Sequence, residues 1–302
     1  MKKQHCFEAI IVGGSYAGLS AAMALGRSLR ETLVIDSGKP CNQQTPYSHN
    51  FITHDGVPPA MISEKARQQV LQYDTVTLEQ GLVTKVAPQG NDFQVKLEND
   101  VVYYGKKLLF ATGVRDIMPS IKGFAACWGI SVLHCPYCHG YEVRNAKTGI
   151  LANGEAAFEA CKLIRHWTDN LSLFTNGKAE LTEEQTQLIH KLGIEIIEKE
   201  VSELTHVNGQ LKSIVFRDTT DLEVEAIYAR PAFEQHCKIP VELGCKLTEH
   251  GHLDVDFLGK TSVQGIFAAG DNTTPMRSVS VAVAAGTKAG AMINLELIND
   301  AL

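Results

Sequence analysis

Ala9-Ile-Ile-Val-Gly-Gly-Ser-Tyr-Ala-Gly18, running on through Leu19-Ser-Ala-Ala-Met-Ala-Leu25 to Thr32-Leu-Val-Ile-Asp36, is the stretch that decides the fold. Residues 8–12 read as a short buried strand and 13–18 as a glycine turn. Residues 19–25 carry a helical pattern, and 32–36 form a second strand ending in an acid. Strand, glycine turn, helix, strand is the opening of a doubly wound dinucleotide-binding fold. The chemistry follows from the backbone. A helix that starts just after a strand offers free N–H groups and the positive end of its dipole to a pyrophosphate. Gly13 and Gly14 let the backbone approach a ligand, and Gly18 keeps helix and strand close, with Ala17 beside it. Ser15 stands where the motif has its middle glycine; it is small and can donate a hydrogen bond. Asp36, with Ser37 next to it, is spaced to accept from a ribose hydroxyl pair.

Further along, a weaker copy of the same opening begins near residue 148. Thr148-Gly-Ile-Leu-Ala152 reads as a strand, Asn153-Gly-Glu-Ala-Ala157 as a turn, Phe158 to His166 as a helix, and Leu171-Ser-Leu-Phe174 as the next strand. Two such openings imply two dinucleotide-type domains. Between them, residues 81–104 alternate as a β-meander that includes Val83. Leu108-Leu-Phe-Ala-Thr-Gly113 and Gly265-Ile-Phe-Ala-Ala-Gly-Asp271 are apolar strands ending in small residues. Val279 to Leu297 is an Ala/Gly-rich helix suited to close packing, interrupted by Lys288, and no membrane span is assigned to it.

Composition narrows the function classes. The chain has 302 residues, 44% hydrophobic and 21% charged, with net charge −6, the balance of a soluble globular protein. It has no dense Lys/Arg run, so nothing argues electrostatically for nucleic acid or an anionic membrane. Met1-Lys-Lys-Gln-His is not followed by the apolar run and small-residue site of an export signal, so a cytoplasmic location is expected.

Eight cysteines, at 6, 41, 127, 135, 138, 161, 237 and 245, in a reducing compartment read as redox, catalytic or buried residues rather than a disulfide framework. Six are scattered singly and read as small core hydrophobes or inert thiols. Only His134-Cys-Pro-Tyr-Cys-His139 forms a motif. Cys-x-x-Cys-His matches c-type haem attachment, but that requires export and a distal ligand. Half of a zinc site would need two more ligands, and His134 and His139 are too close to the cysteines to supply them. The third reading is a redox dithiol. Cys135 and Cys138 can close a small disulfide ring, Pro136 stiffens it, and a helix N-terminus lowers a thiol pKa. His139 is then the candidate general acid/base, with Glu142 as a possible orienting partner and His134 as a possible assistant.

Taken together, these residues resemble the low-molecular-weight thioredoxin reductase family of FAD-dependent disulfide oxidoreductases, over essentially the whole chain. The resemblance implies an α/β protein of two Rossmann-like (three-layer ββα) domains. A discontinuous FAD-binding domain would span 1–115 and 238–302, and an inserted NAD(P)H-type domain, carrying the Cys pair, would span 116–237. It implies FAD contacts at the Gly13–Gly18 turn, Asp36, Val83, Ala111-Thr112-Gly113 and Gly270-Asp271, with Asp271 on the ribityl chain. Arg277-Ser278-Val279 would lie against the isoalloxazine, and Asn50 falls at a family position near the flavin. Cys138 would face the flavin while Cys135 exchanges with substrate. The family's acid after the second cysteine is His139 here. Cys-Pro-x-Cys-His-Gly-x-Glu more closely resembles the branch of gliotoxin-type dithiol oxidases and related bacterial flavoproteins.

One departure bears on the electron source. The family's NADPH turn is Gly-x-Gly-x-x-Ala, whereas this chain has Ala152-Asn-Gly154-Glu-Ala-Ala157. Its 2′-phosphate cluster of His-Arg-Arg is replaced by Thr175-Asn-Gly-Lys178. A dianionic phosphate is normally held by several charge-assisted contacts, which one lysine replaces poorly. The sequence thus argues against a well-formed NADPH site while leaving NADH open. Three enzymatic readings stand: a dithiol/disulfide oxidoreductase with a degenerate NADPH site, an NAD(P)H-dependent thioredoxin reductase, and an oxygen-using dithiol oxidase. A fourth, from another class, is a non-catalytic flavin-binding redox sensor. The expected partner is a thioredoxin-like protein or a small dithiol or disulfide, and a homodimer is implied by the resemblance.

Overall fold

A computed structural model describes residues 6–302; residues 1–5, which open the N-terminal stretch searched for an export signal, lie outside the described residues. The chain divides into two compact units. The first holds residues up to Gln43, Val57–Arg115 and Phe233–Leu302; the second holds Gln44–Gly56 and Asp116–Ala232. Two points differ from the boundaries expected from sequence. The chain returns to the first unit at 233 rather than 238, because Gln235 already donates its amide to the carbonyls of Gly251 and Asn272. Segment 44–56, expected in the first domain, packs with the second.

In the first unit, the strands Val76–Gln80, Thr32–Asp36, Cys6–Val12 and Val102–Phe110 lie side by side in that order, all parallel. Ile266–Ala268 adds a further parallel strand against Leu108–Phe110. Ala9 to Val12 are all buried, the unbroken apolar run of a central strand covered on both faces. Val83–Gln89 and Asp92–Leu97 continue the sheet as an antiparallel meander. In Asp92–Leu97 every second residue is buried, so one face alone meets the core. This is the three-layer ββα arrangement.

The helix Tyr16–Arg27 is built from small residues on the side that meets the C-terminal helix Val279–Asn299. A Cβ on Gly286 would collide with the Ala17 carbonyl, and one on Gly290 would come within 2.7 Å of the Ala21 carbonyl. Val279–Asn299 has the length and apolarity of a membrane-crossing helix. Its two glycines are spent on contact with Tyr16–Arg27, which is how a core helix of a doubly wound domain is used.

The second unit has a five-stranded parallel sheet in the order Glu195–Ile197, Leu171–Phe174, Thr148–Leu151, Ala226–Ala229, Val132–Leu133. An antiparallel sheet, Val201–Val207, Gln210–Phe216 and Asp221–Glu223, packs beside it. Asn208 and Gly209 both have positive φ, the two-residue turn that matches strand twist. The helix expected over 158–166 instead spans Gly154–Ile164. It starts earlier because Asn153 caps it, so residues read as a turn form its first turn.

Candidate active site

In the first unit, the turn after Cys6–Val12 has the shape its glycines predict. Gly13 has φ +108, and an added Cβ would run into the Ala111 carbonyl; one on Gly14 would sit 2.7 Å from the Asp36 Cβ. No side chain therefore fits between the turn, the end of Val102–Phe110 and the end of the second strand. Ser15 is the N-cap of Tyr16–Arg27, but its side chain makes no capping bond, and the first turn holds no acid. The helix end is left for an outside anion. Thr112 carries a buried hydroxyl with no hydrogen-bond partner, which costs about 1–3 kcal/mol unless a ligand or water answers it. Asp36 is paired through Oδ2 with Arg67, so the carboxylate is held in place at the strand end. Opposite, Asp271 Oδ2 lies 3.6 Å from Arg277 Nε and accepts from the Cys41 thiol at 3.9 Å. Ser278 caps the C-terminal helix by accepting from Val281 N–H, and Val279 is its first residue. Gly270 has φ +98 and an added Cβ would press on Ala17. These residues fit a dinucleotide such as FAD: a bare helix end, a cradle a Cβ would fill and an unanswered hydroxyl.

The second unit carries the sulfur chemistry. Cys135 and Cys138 form a disulfide, with Cα atoms 5.3 Å apart, inside the range that closes without strain on the backbone. Cys135 is the N-cap of the one-turn helix Pro136–His139, with Pro136 at its first position, where the missing N–H is not needed. Gly140 N–H donates to the Pro136 carbonyl, and a Cβ on Gly140 would strike both that carbonyl and Trp167. The turn is thereby clamped. The His139 ring is mostly buried, and its pKa is lowered from the ordinary 6.5 by burial first and by neighbouring His49 second, against an opposing pull from Glu142. It is therefore a neutral base at pH 7, able to accept a proton from a thiol.

His139 faces His49 across 6.2 Å between ring centroids, nearly perpendicular at 86°. Glu142, expected to orient His139, acts on it through its charge and also lies beside His49, with Oε1 3.5 Å from Nδ1. His134 meets the Trp128 ring edge-on. Asn50, assigned by resemblance to the flavin, belongs to the second unit, where its N–H donates to Asp55 Oδ1 at 2.8 Å. Among the described residues no group of three or more His, Cys, Asp or Glu side chains is placed to hold a metal.

The second glycine turn is filled by the chain's own groups. The Asn153 carboxamide accepts from Gly154 N–H at 2.9 Å and Glu180 N–H at 2.8 Å, and donates to the Lys178 carbonyl at 2.9 Å. Glu155 places a carboxylate in the first helical turn, and Glu198 accepts from Ala179 N–H at 2.6 Å. The turn and the segment after the next strand are laced together by these bonds.

A profile for Pyridine nucleotide-disulphide oxidoreductase matches residues 7–286. The chain belongs to this family. It is 30% identical to thioredoxin reductase tcpT of Claviceps purpurea, over 99% of this chain and 97% of that protein. Thioredoxin reductase sirT of Leptosphaeria maculans is 29% identical over 97% of this chain and 94% of its own length. Among solved structures, an oxidoreductase from Agrobacterium tumefaciens superposes with a TM-score of 0.91 at 32% identity, covering 97% of this chain and 99% of that one. The protein is thus a thioredoxin reductase-like disulfide oxidoreductase, an enzyme with two Rossmann-like domains. Of the isolated cysteines, four are shielded: burial pushes the Cys161 thiol up to about 12 and also raises Cys127, Cys245 and the half-buried Cys237, while Cys6 and Cys41 are exposed. A thiol held protonated in this way is a poor nucleophile.

His49 is the site residue that sequence reasoning did not single out. It stands in Ser48-His-Asn-Phe-Ile-Thr-His-Asp-Gly56, a run in which only Asn50 was assigned a role. The remaining signal was a second histidine in that run, which spacing could not pair with His139.

Proposed function

We propose that this enzyme oxidises a dithiol to a disulfide through Cys135/Cys138, with FAD in the first unit and dioxygen rather than a nicotinamide as redox partner. The observation that carries the reading is the Asn153 carboxamide, which spends both its polar atoms closing the second turn. Two carboxylates, Glu155 and Glu198, add negative charge where phosphates would have to sit. FAD would be held by the Gly13–Gly18 turn, Asp36, Thr112, Asp271 and the start of Val279–Asn299. The chemistry it supplies when bound is two-electron acceptance from the cysteine pair.

The protein's own residues handle the sulfur exchange. A substrate thiol gives its proton to His139, and the resulting thiolate attacks one sulfur of the Cys135–Cys138 disulfide. The S–S bond breaks, and its electron pair stays on the leaving cysteine as a thiolate. The second substrate thiol repeats the deprotonation and attacks the mixed disulfide. Substrate disulfide leaves, and two electrons now reside on the reduced cysteine pair. By family resemblance Cys135 meets the substrate and Cys138 is the flavin-side sulfur. A second reading, reduction of a thioredoxin-like protein by a homodimer, has the names of the relatives in its favour.

The test is anaerobic mixing of the oxidised, flavin-loaded protein with dithiothreitol, NADPH or NADH while following the flavin band. Bleaching by dithiothreitol alone, with peroxide formed on readmitting air, is expected, and Cys138→Ser should abolish it. Fast bleaching by NADPH would sink the oxidase direction and favour the reductase.

A further inference from the structure

Each of two substrate thiols must lose its proton before it can attack, yet a single imidazole beside the disulfide holds one proton at a time. His139 must be emptied between the two steps. It is only partly exposed, and the groups packed on it offer an exit. The elements packed against it include Gln44–Gly56, the one stretch of the second unit drawn from far earlier in the chain.

That stretch is fastened as a strap. Gln44 donates its amide to the Ala125 carbonyl at 3.4 Å, and a Cβ on Gly129, whose φ is +75, would come within 3.0 Å of Thr45 Oγ1. The loop beyond is closed by Gly56 N–H on the Ser48 carbonyl at 2.9 Å and Asn50 N–H on Asp55 Oδ1 at 2.8 Å. These bonds fix the residue between them, His49, edge-to-face against His139. Its Nδ1 is buried and makes no direct hydrogen bond, yet it lies 3.5 Å from Glu142 Oε1 and 3.6 Å from Asp55 Oδ1. Two carboxylates just beyond direct bonding distance of a buried ring nitrogen is the spacing of a relay through a bridging water or a small shift of the ring. Asp55 is 70% exposed and Glu142 39%, so both ends of the relay reach solvent. The Tyr228 hydroxyl, buried and without a hydrogen bond, also feels the Glu142 charge. The charged groups at the histidine pair are therefore Glu142 and Asp55, with the Tyr228 hydroxyl within reach of the Glu142 charge.

We propose that His49 is a positioning residue that takes the proton from His139 and passes it to Glu142 or Asp55, so that the segment 44–56 exists to bring a second histidine to the dithiol site. The proposal rests on the dithiol reading above. In balance, the proton broken from the substrate S–H goes to His139, then to His49, then to a carboxylate and solvent; no electrons move along this path.

The experiment uses full-length, flavin-loaded protein and dithiothreitol, with His49→Gln, His49→Ala and Glu142→Gln compared to the parent. Dithiol-driven flavin bleaching should slow roughly 10²-fold in both His49 variants at neutral pH, the low end for a positioned acid–base group, and by less in Glu142→Gln. Added imidazole should restore part of the rate in His49→Ala and none in the parent. Independently, the His139 ring titration followed by NMR should move upward when His49 is lost, since one of the neighbours that lowers it is gone. Parental rates in His49→Gln, or a loss that imidazole does not touch together with an unmoved His139 titration, would overturn the relay. If the parent itself does not react with dithiothreitol, the function reading falls, while the His139 titration still decides whether the two rings act together.

Discussion

The two glycine turns of this molecule occupy the same place in two copies of one fold and differ in what meets their polar groups. Gly13, Gly14, Ser15 and Gly18 stand where Ala152, Asn153, Gly154 and Ala157 stand in the second copy. Both first residues donate N–H to the end of the next strand, Gly13 to Ile35 and Ala152 to Phe174. There the likeness stops. The first turn takes its positive φ at Gly13, which alanine resists, so in the second copy the left-handed residue moves on to Gly154. The second helix starts directly at that glycine and the first only after Ser15. At the position between, hydrogen in one copy is a bridging carboxamide in the other. On the proposed reading, the second turn differs from the first less by deleted groups than by groups the protein satisfies itself.

The largest way to break this comparison is Gly14→Val. Its side chain would fill the cradle against Asp36, and the purified protein should lose its bound flavin and its yellow colour while the second unit keeps its fold by circular dichroism. Next in size is the double change Asn153→Gly with Glu155→Gln. If self-satisfaction is what closes the second turn, nucleotide binding followed by fluorescence of added NADH should strengthen measurably, on the order of tenfold for a gain near 1.4 kcal/mol. Unchanged fluorescence would mean that the altered backbone at Ala152 is the deeper obstacle.

Thr112→Val sharpens the comparison from the other side. It keeps the shape and removes only the unanswered hydroxyl, so flavin retention should weaken by roughly five- to tenfold, the worth of one hydrogen bond. The flavin-free protein should melt no lower than its parent; a lower melting point would mean that the hydroxyl serves the fold. The smallest effect is expected for Asn153→Ala alone, a lost helix cap worth about 1 kcal/mol of stability in the second unit, read as a lower denaturation midpoint. In acid, His139 adds a trend common to all these variants. Its folded pKa is depressed, so its contribution to stability is full above the ordinary 6.5 and is lost as pH falls through the folded value.

Much of this was legible in the chain. The strand Leu171–Phe174 has the bounds its apolar run gives, and Gly13 to Asp36 fold as their spacing requires, because both rest on local geometry. The start of the helix at Gly154 was not, since Asn153 finds partners at Lys178 and Glu180 that no local pattern announces. The Cys pair was legible as a motif, but its neighbourhood was not. His49 and His139 meet only because residues 44–56 leave the unit that surrounds them in sequence, and long-range contact of that kind has no periodicity to read. For the same reason the second histidine beside Glu142, His49, could not be read from the chain.

The strap also sets a limit on how this enzyme can be taken apart. A gene fragment encoding 116–232 would be contiguous and would carry the disulfide, the parallel sheet and His139. It would leave behind Gln44, Thr45 and His49, and with them the contacts to Ala125, Gly129 and His139. The sulfur-bearing half is therefore not a cassette to be moved between scaffolds by cutting at its two obvious joints. A transplant would need the peptide 44–56 grafted on as a third piece, and shuffling by simple recombination would separate the cysteines from their second histidine every time.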